Sequence, residues 1–145
     1  LGDITFLFAV SPFHPLAQAE GPITDAMLLE HRLVVVADSA QRERTSIGLL
    51  DGQDTFTVDT MQAKIDAQLR GIGCGFLPES FLQPHLDSGA LVVKAVSRPT
   101  RKIRMRYAWK SPSNGGEMGR ALQWWLTQLE NLTTRQALLH LPEHG

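Results

Sequence analysis

Short apolar runs alternate with amphipathic stretches along this chain, and the pattern predicts strands alternating with helices. Ile4-Thr5-Phe6-Leu7-Phe8-Ala9-Val10 is almost continuously apolar, as a strand covered on both faces is. Ser11 to Pro15 reads as a turn, and Thr24 is placed to cap a short helix reaching about His31, with Ile23 and Leu28 spaced as a hydrophobic staple. Leu33 to Ala37 predicts a buried strand, Asp38 to Asp51 a polar loop carrying Arg42, Glu43 and Arg44, and Thr55 to Val58 another strand. Met61, Ile65, Leu69 and Ile72 then recur at near-helical spacing. Asp59 and Gln62 have the spacing of a capping box at the start of that helix, and Gly71 suits the left-handed position that ends it.

The second half continues the alternation. Cys74 to Leu77 predicts a strand, Pro78 and Glu79 a short helical turn, Asp87-Ser88-Gly89 a surface turn, and Leu91 to Val93 a strand. After a connection at Ser97 to Thr100, Lys102 to Trp109 alternates charged and apolar residues like a half-exposed strand. Lys110 to Gly116 reads as a loop. A helix from about Glu117 to Leu132 places Met118, Leu122, Trp125, Leu126 and Leu129 on one face, and Thr133 to Gly145 has no clear partner. Such alternation predicts an α/β sheet, and right-handed crossovers would make much of it parallel. It also aims the free N–H groups at the head of the Met61 helix beyond the Thr55 to Val58 strand, where open α/β folds bind small ligands.

Composition narrows the function. The 145 residues suffice for one globular domain, and 43% apolar with 20% charged residues is ordinary for a folded protein. A net charge of −1 supplies no broad basic field for nucleic acid, since Arg98, Arg101, Lys102, Arg104 and Arg106 form only a local stripe. The single cysteine, Cys74, excludes an internal disulfide framework and fits a reducing cytoplasm. No apolar run approaches the roughly 18 residues that span a bilayer. The opening strand has no element before it, so the chain is expected to begin inside a larger fold.

Catalytic patterns are weak. Gly71-Ile72-Gly73-Cys74-Gly75 follows a helix and precedes a strand, the reverse of the order a dinucleotide fingerprint requires. No nucleophile elbow or P-loop is present, and no histidine pair falls at i, i+4. His14, His31 and His85 sit in turns or helix ends and His140 and His144 in the tail, so solvation or capping suits them better than metal ligation. Cys74, between glycines and entering an apolar strand, reads as inert core, and Asp59 and Asp66 lie about 10 Å apart along a helix, too far to share a proton.

Three blocks carry a resemblance. Phe8-Ala9-Val10-Ser11-Pro12-Phe13-His14-Pro15-Leu16-Ala17, Gly21-Pro22-Ile23-Thr24-Asp25, and Met61-Gln62-Ala63-Lys64-Ile65 leading to Gly71 through Pro78 resemble the effector-binding domain of LysR-type transcriptional regulators. Tyr107-Ala108-Trp109-Lys110 and Ala121-Leu122-Gln123-Trp124-Trp125-Leu126 resemble its end. The resemblance implies a periplasmic-binding-protein-like α/β domain of two lobes with a small-molecule effector between them. On this reading residues 1–10 end lobe I and make the first crossing, 11–98 form lobe II, 99–132 return to lobe I with its closing strand and helix, and 133–145 are a tail.

The resemblance further implies effector contacts at Asp59, Thr60 and Met61 on the helix head, Phe76 and Pro78 on the strand beside it, and Pro12 and Phe13 after the first crossing. Thr60 is the expected hydrogen-bonding group, while Asp59, if it faces the cleft rather than capping its helix, would disfavour anions. No cofactor, metal or catalysis is implied, and no membrane. DNA would be met only through an N-terminal winged helix-turn-helix that has no counterpart here, in a cytoplasmic homodimer or homotetramer. A solute-binding receptor of a transport system, with the same fold, is the alternative.

Overall fold

The computed structural model describes residues 1–37, 47–110 and 118–140. The expected segments at 38–46 and 111–117, including Arg42, Glu43, Arg44 and Glu117, and the tail at 141–145 with His144, lie outside the described residues. Contacts divide the chain into a larger unit over Thr5–Arg101 and a smaller one that gathers Leu1–Ile4 with the described residues from Lys102 onward.

The larger unit begins within β1 (Gly2–Val10) and continues through a 3-10 helix (Pro15–Gln18), α1 (Asp25–Leu29), β2 (Leu33–Val36), β3 (Thr55–Val58), α2 (Met61–Leu69), β4 (Gly75–Pro78), α3 (Glu79–Asp87) and β5 (Val92–Val93). Thr24 caps α1 as its sequence predicts, its Oγ1 accepting the Met27 N–H at 3.3 Å. The turn expected at Pro78 and Glu79 is instead the full helix α3, which carries Pro84 internally and buries Leu82.

The sheet is less parallel than the alternation predicts. β2 and β3 are parallel, in register from Leu33↔Thr55 to Val36↔Val58, and a parallel bridge joins Leu33 to Cys74. β1 instead runs antiparallel to both β4 and β5, with Phe6↔Pro78, Leu7↔Leu77, Phe8↔Phe76 and Ala9↔Gly75 on one side and Ala9↔Val93 on the other. The crossover rule binds strands joined by a helix, as β3–α2–β4 and β4–α3–β5 are. No single helix connects β1 to either neighbour, so its direction is free.

Alternation along β1 and β4 sends side chains into two separate cores. Phe8, Val10, Cys74 and Phe76 join Leu16, Ile23, Leu28, Leu33 and Val35, whereas Ala9 and Leu77 join Ile65, Leu82 and Leu91. Burial on both faces explains the unbroken apolar runs of these strands. α2 ends in the predicted glycine corner: Gly71 has φ of +70°, its N–H reaches the Gln68 carbonyl at 2.9 Å, and the Ile72 N–H reaches the Ala67 carbonyl at 3.0 Å.

The face of α2 turned to the sheet is unexpectedly polar. Lys64 and Gln68, one turn apart, both lie over Gly75, where a Cβ would stand 2.5 Å from Gln68 Nε2 and 3.3 Å from Lys64 Cε. Burial pulls the Lys64 ammonium down to about 8. Gln68 is wholly buried, and among the described residues neither its Nε2 nor its Oε1 has a hydrogen-bond partner. A Gln68→Met exchange keeps the length of the side chain and removes both unsatisfied groups, so it is expected to stabilise the protein by about 1–2 kcal/mol in urea titrations. A loss of stability would mean that the amide is satisfied in solution.

In the smaller unit, β6 (Arg101–Met105) pairs with β1, and the Leu1 amino group donates to the Met105 carbonyl at 2.9 Å. The alternation expected through Trp109 stops there as a strand. Tyr107 and Trp109 are exposed, their rings stacked with centroids 5.9 Å apart. α4 (Arg120–Glu130) carries the expected apolar stripe, but only Leu129 of it is buried. Residues expected to be a tail form α5 (Leu132–His140), which packs on α4. Its start is legible in hindsight, since Asn131 Oδ1 accepts the Thr133 N–H at 2.9 Å as an asparagine cap does.

Candidate functional site

The head of α2 is built by its cap. Thr60 takes an extended conformation, its Oγ1 accepts the Ala63 N–H at 3.1 Å, and its carbonyl accepts the Lys64 N–H at 3.1 Å. The capping box expected from Asp59 and Gln62 therefore does not form. A cap is the residue whose own carbonyl takes the first helical bond, and that residue is Thr60, which moves Gln62 one position too early to reach back. The Gln62 amide instead donates to Asp66 Oδ1 at 3.1 Å.

This geometry leaves a definite set of groups. Among the described residues no acceptor meets the Met61 and Gln62 N–H groups, the positive end of the helix dipole. Thr60 has spent an acceptor lone pair and keeps its O–H donor. Asp59 is exposed and stands just outside the helix, its carboxylate not engaged as a cap. All of this lies at the carboxyl ends of the parallel strands β2 and β3, where open α/β sheets hold ligands.

The other expected contacts are distributed unevenly. Met61 packs against the core that contains Leu77. Pro78, buried at the carboxyl end of β4, lies opposite Phe6. Phe76 faces the other core, its ring edge-on to Phe8 with centroids 5.3 Å apart.

Pro12 and Phe13 are not brought to the helix head. Because β1 opposes β4, its Val10 end lies at the start of β4, and Ser11 lies beside Gly71 at the tail of α2. Nine helical residues, about 13 Å, separate that tail from Thr60. Phe13 is 94% exposed, and the Pro12 carbonyl accepts from Gln18 Nε2 at 3.5 Å. Conversely, Phe6 stands at the same end as Pro78 and the α2 head, and its sequence marked it only as strand. The signal that would have found it is the antiparallel pairing of β1, which no local pattern carries.

The described residues hold Cys74 as their one thiol. Cys74 is buried, its Sγ lies 3.4 Å from the Arg32 carbonyl, and burial pushes the thiol up to about 11. No group of three or more His, Cys, Asp or Glu among them could hold a metal ion, and none of their helices is long and apolar enough to cross a membrane. Of the basic stripe, Arg98 is engaged by Asp25 at 2.6 and 2.9 Å and Arg104 by Asp3 at 3.0 Å, which further weakens it as a surface for phosphate backbones.

A family model described as "LysR substrate binding domain" matches residues 1–133. The uncharacterized HTH-type transcriptional regulator YeeY of Escherichia coli K12 is 38% identical over 130 residues, covering 89% of this chain and 41% of that protein. The regulatory domain of MetR, a LysR family regulator from N. meningitidis, superposes with a TM-score of 0.52 at 16% identity over 70% of this chain and 50% of the other. The effector-binding domain of QuiR, solved in complex with shikimate, gives 0.51 at 17% identity over 70% and 49%. At those identities the structures speak for the shared fold. The chain spans about two fifths of the length of the curated relatives it matches. Its α/β architecture is the periplasmic-binding-protein-like one, and the chain belongs to the LysR substrate-binding domain family.

Proposed function

We propose that this chain is the ligand-sensing part of a LysR-type DNA-binding transcriptional regulator, with a small-molecule effector seated at the head of α2. The observation that carries the reading is the N–H pair of Met61 and Gln62, which no acceptor meets among the described residues, beside the Thr60 hydroxyl at the strand ends of a chain that matches the family over residues 1–133. Asp59, Thr60 and Met61 form the core of the site on this reading, with Pro78 and the backbone of Phe6 at its edge. Phe76 acts by packing, and Pro12 and Phe13 stand outside the site.

Relatives named as transcriptional regulators favour this reading over a transport receptor and over an enzyme. The regulator acts without a cofactor, in the cytoplasm, as a homodimer or homotetramer. It meets DNA through a winged helix-turn-helix in the part of its relatives that this chain does not span. Effector binding changes the regulator only by favouring one of its arrangements over another.

Chemistry at the helix head defines the ligand class. The exposed Asp59 carboxylate opposes the attraction that the helix dipole would exert on an anion, so neutral or cationic solutes are favoured. Thermal-shift screening of the intact protein tests this, because a solute at a hundred times its Kd stabilises by about 2.7 kcal/mol. Neutral and cationic metabolites are expected among the hits, and a carboxylate series is expected to bind an Asp59→Asn variant roughly two- to fivefold more tightly. Calorimetric affinities that ignore the substitution would defeat the assignment.

A further inference from the structure

The turn that follows β1 is held by an arrangement that protonation opposes directly. His14 caps the 3-10 helix Pro15–Gln18, its Nδ1 accepting the Leu16 N–H at 3.2 Å. That bond requires an unprotonated Nδ1, because imidazolium carries a proton on each nitrogen. The His31 ring stands against it, with centroids 4.9 Å apart and planes inclined at 60°. His14 is only 6% exposed, and the residue it caps, Leu16, is a buried member of the core around Phe8 and Leu28.

We propose that His14, packed against His31, forms a proton-sensitive latch, in which the neutral His14 ring fastens the Pro15–Gln18 turn and acid releases it by removing the acceptor of the Leu16 N–H.

Among the described residues, surrounding charges do not offset this. Asp25 on α1 is engaged by Arg98, Arg32 beside His31 is engaged by Asp54 at 2.7 Å, and Lys94 Nζ donates to the Ala19 carbonyl at 2.8 Å. Glu20 and Glu30 are exposed, and the Cys74 thiol is held neutral by burial. Burial first, and then His31, hold His14 below its ordinary value of 6.5. The opened turn titrates near that ordinary value. Protection of the turn is therefore complete above pH 6.5 and is lost as pH falls from there toward the lowered value of the closed form.

Hydrogen–deuterium exchange of the peptide spanning residues 12–19, in the intact protein and corrected for intrinsic rates, reads the latch. In the wild type, protection at Leu16, Ala17 and Ala19 is expected to fall by up to about tenfold per pH unit across that window. A His14→Asn variant places an amide oxygen where Nδ1 stood and cannot titrate, so its protection stays level. A His31→Gln variant removes a neighbour that holds His14 low, so the loss still begins near pH 6.5 but levels off at a higher pH and is smaller in total. Flat wild-type protection between pH 8 and 5, the same loss in His14→Asn, or an unmoved profile in His31→Gln each overturns the proposal. If His14→Asn fails to fold, the wild-type and His31→Gln profiles decide it.

Discussion

Gly73→Ala is expected to cost the protein about 2–4 kcal/mol, read as a lowered urea midpoint with an unchanged slope. A Cβ on Gly73 would stand 2.6 Å from the Arg32 carbonyl oxygen and 3.0 Å from Val34 Cγ2. The oxygen is backbone and is already occupied, accepting the Cys74 N–H at 3.0 Å with the Cys74 Sγ at 3.4 Å. It cannot retreat without opening the junction of β2 with β4, where the Val34 N–H also reaches the Cys74 carbonyl at 2.8 Å. Gly52→Ala is the informative control, because Gly52 has φ of +79° and nothing within 4 Å of a new Cβ. Its cost is conformational alone, about 1 kcal/mol. Equal costs at the two positions would mean that the collision at Gly73 is relieved by a small movement of the strands.

Phe8→Ala is the second large effect, with an expected loss of about 3–5 kcal/mol. Phe8 lies in the half of β1 that pairs with β4, is buried, and meets the edge of Phe76 across the antiparallel pair. Removal of the ring leaves a cavity walled by residues of several elements, among them Val10, Leu16 and Leu33, so little collapse can refill it. A double-mutant cycle with Phe76→Ala is expected to return a coupling of about 0.5–1.5 kcal/mol. A coupling near zero would mean that the two rings contribute to the core independently of their edge-on contact.

What the sequence made legible was local. The Thr24 cap, the strand at Thr55–Val58 and the glycine corner at Gly71 each depend on residues within a few positions of one another, and each appears where its pattern placed it. The order of the motifs also disclosed the family, because Met61 to Pro78 preserves a whole helix, glycine corner and strand in sequence. Two kinds of information stayed hidden. One is pairing: nothing within Ile4 to Val10 states that β1 runs against β4, and that direction alone puts Phe6 rather than Phe13 at the end shared with Thr60. The other is a choice between adjacent equivalents, since Asp59 and Thr60 are both good caps and only the carbonyl that accepts from Lys64 decides. The helix α5 lacks even a local signal, having no strong apolar stripe beyond Leu132 to announce it.

The seating of Cys74 has a practical corollary. As the one thiol in the chain, enclosed and kept in its unreactive form, it meets an alkylating reagent only when the strand around it comes away. Its rate of labelling is therefore a built-in clock for the opening of the β2–β4 junction, ticking faster in Gly73→Ala and slower under any ligand that holds the larger unit shut.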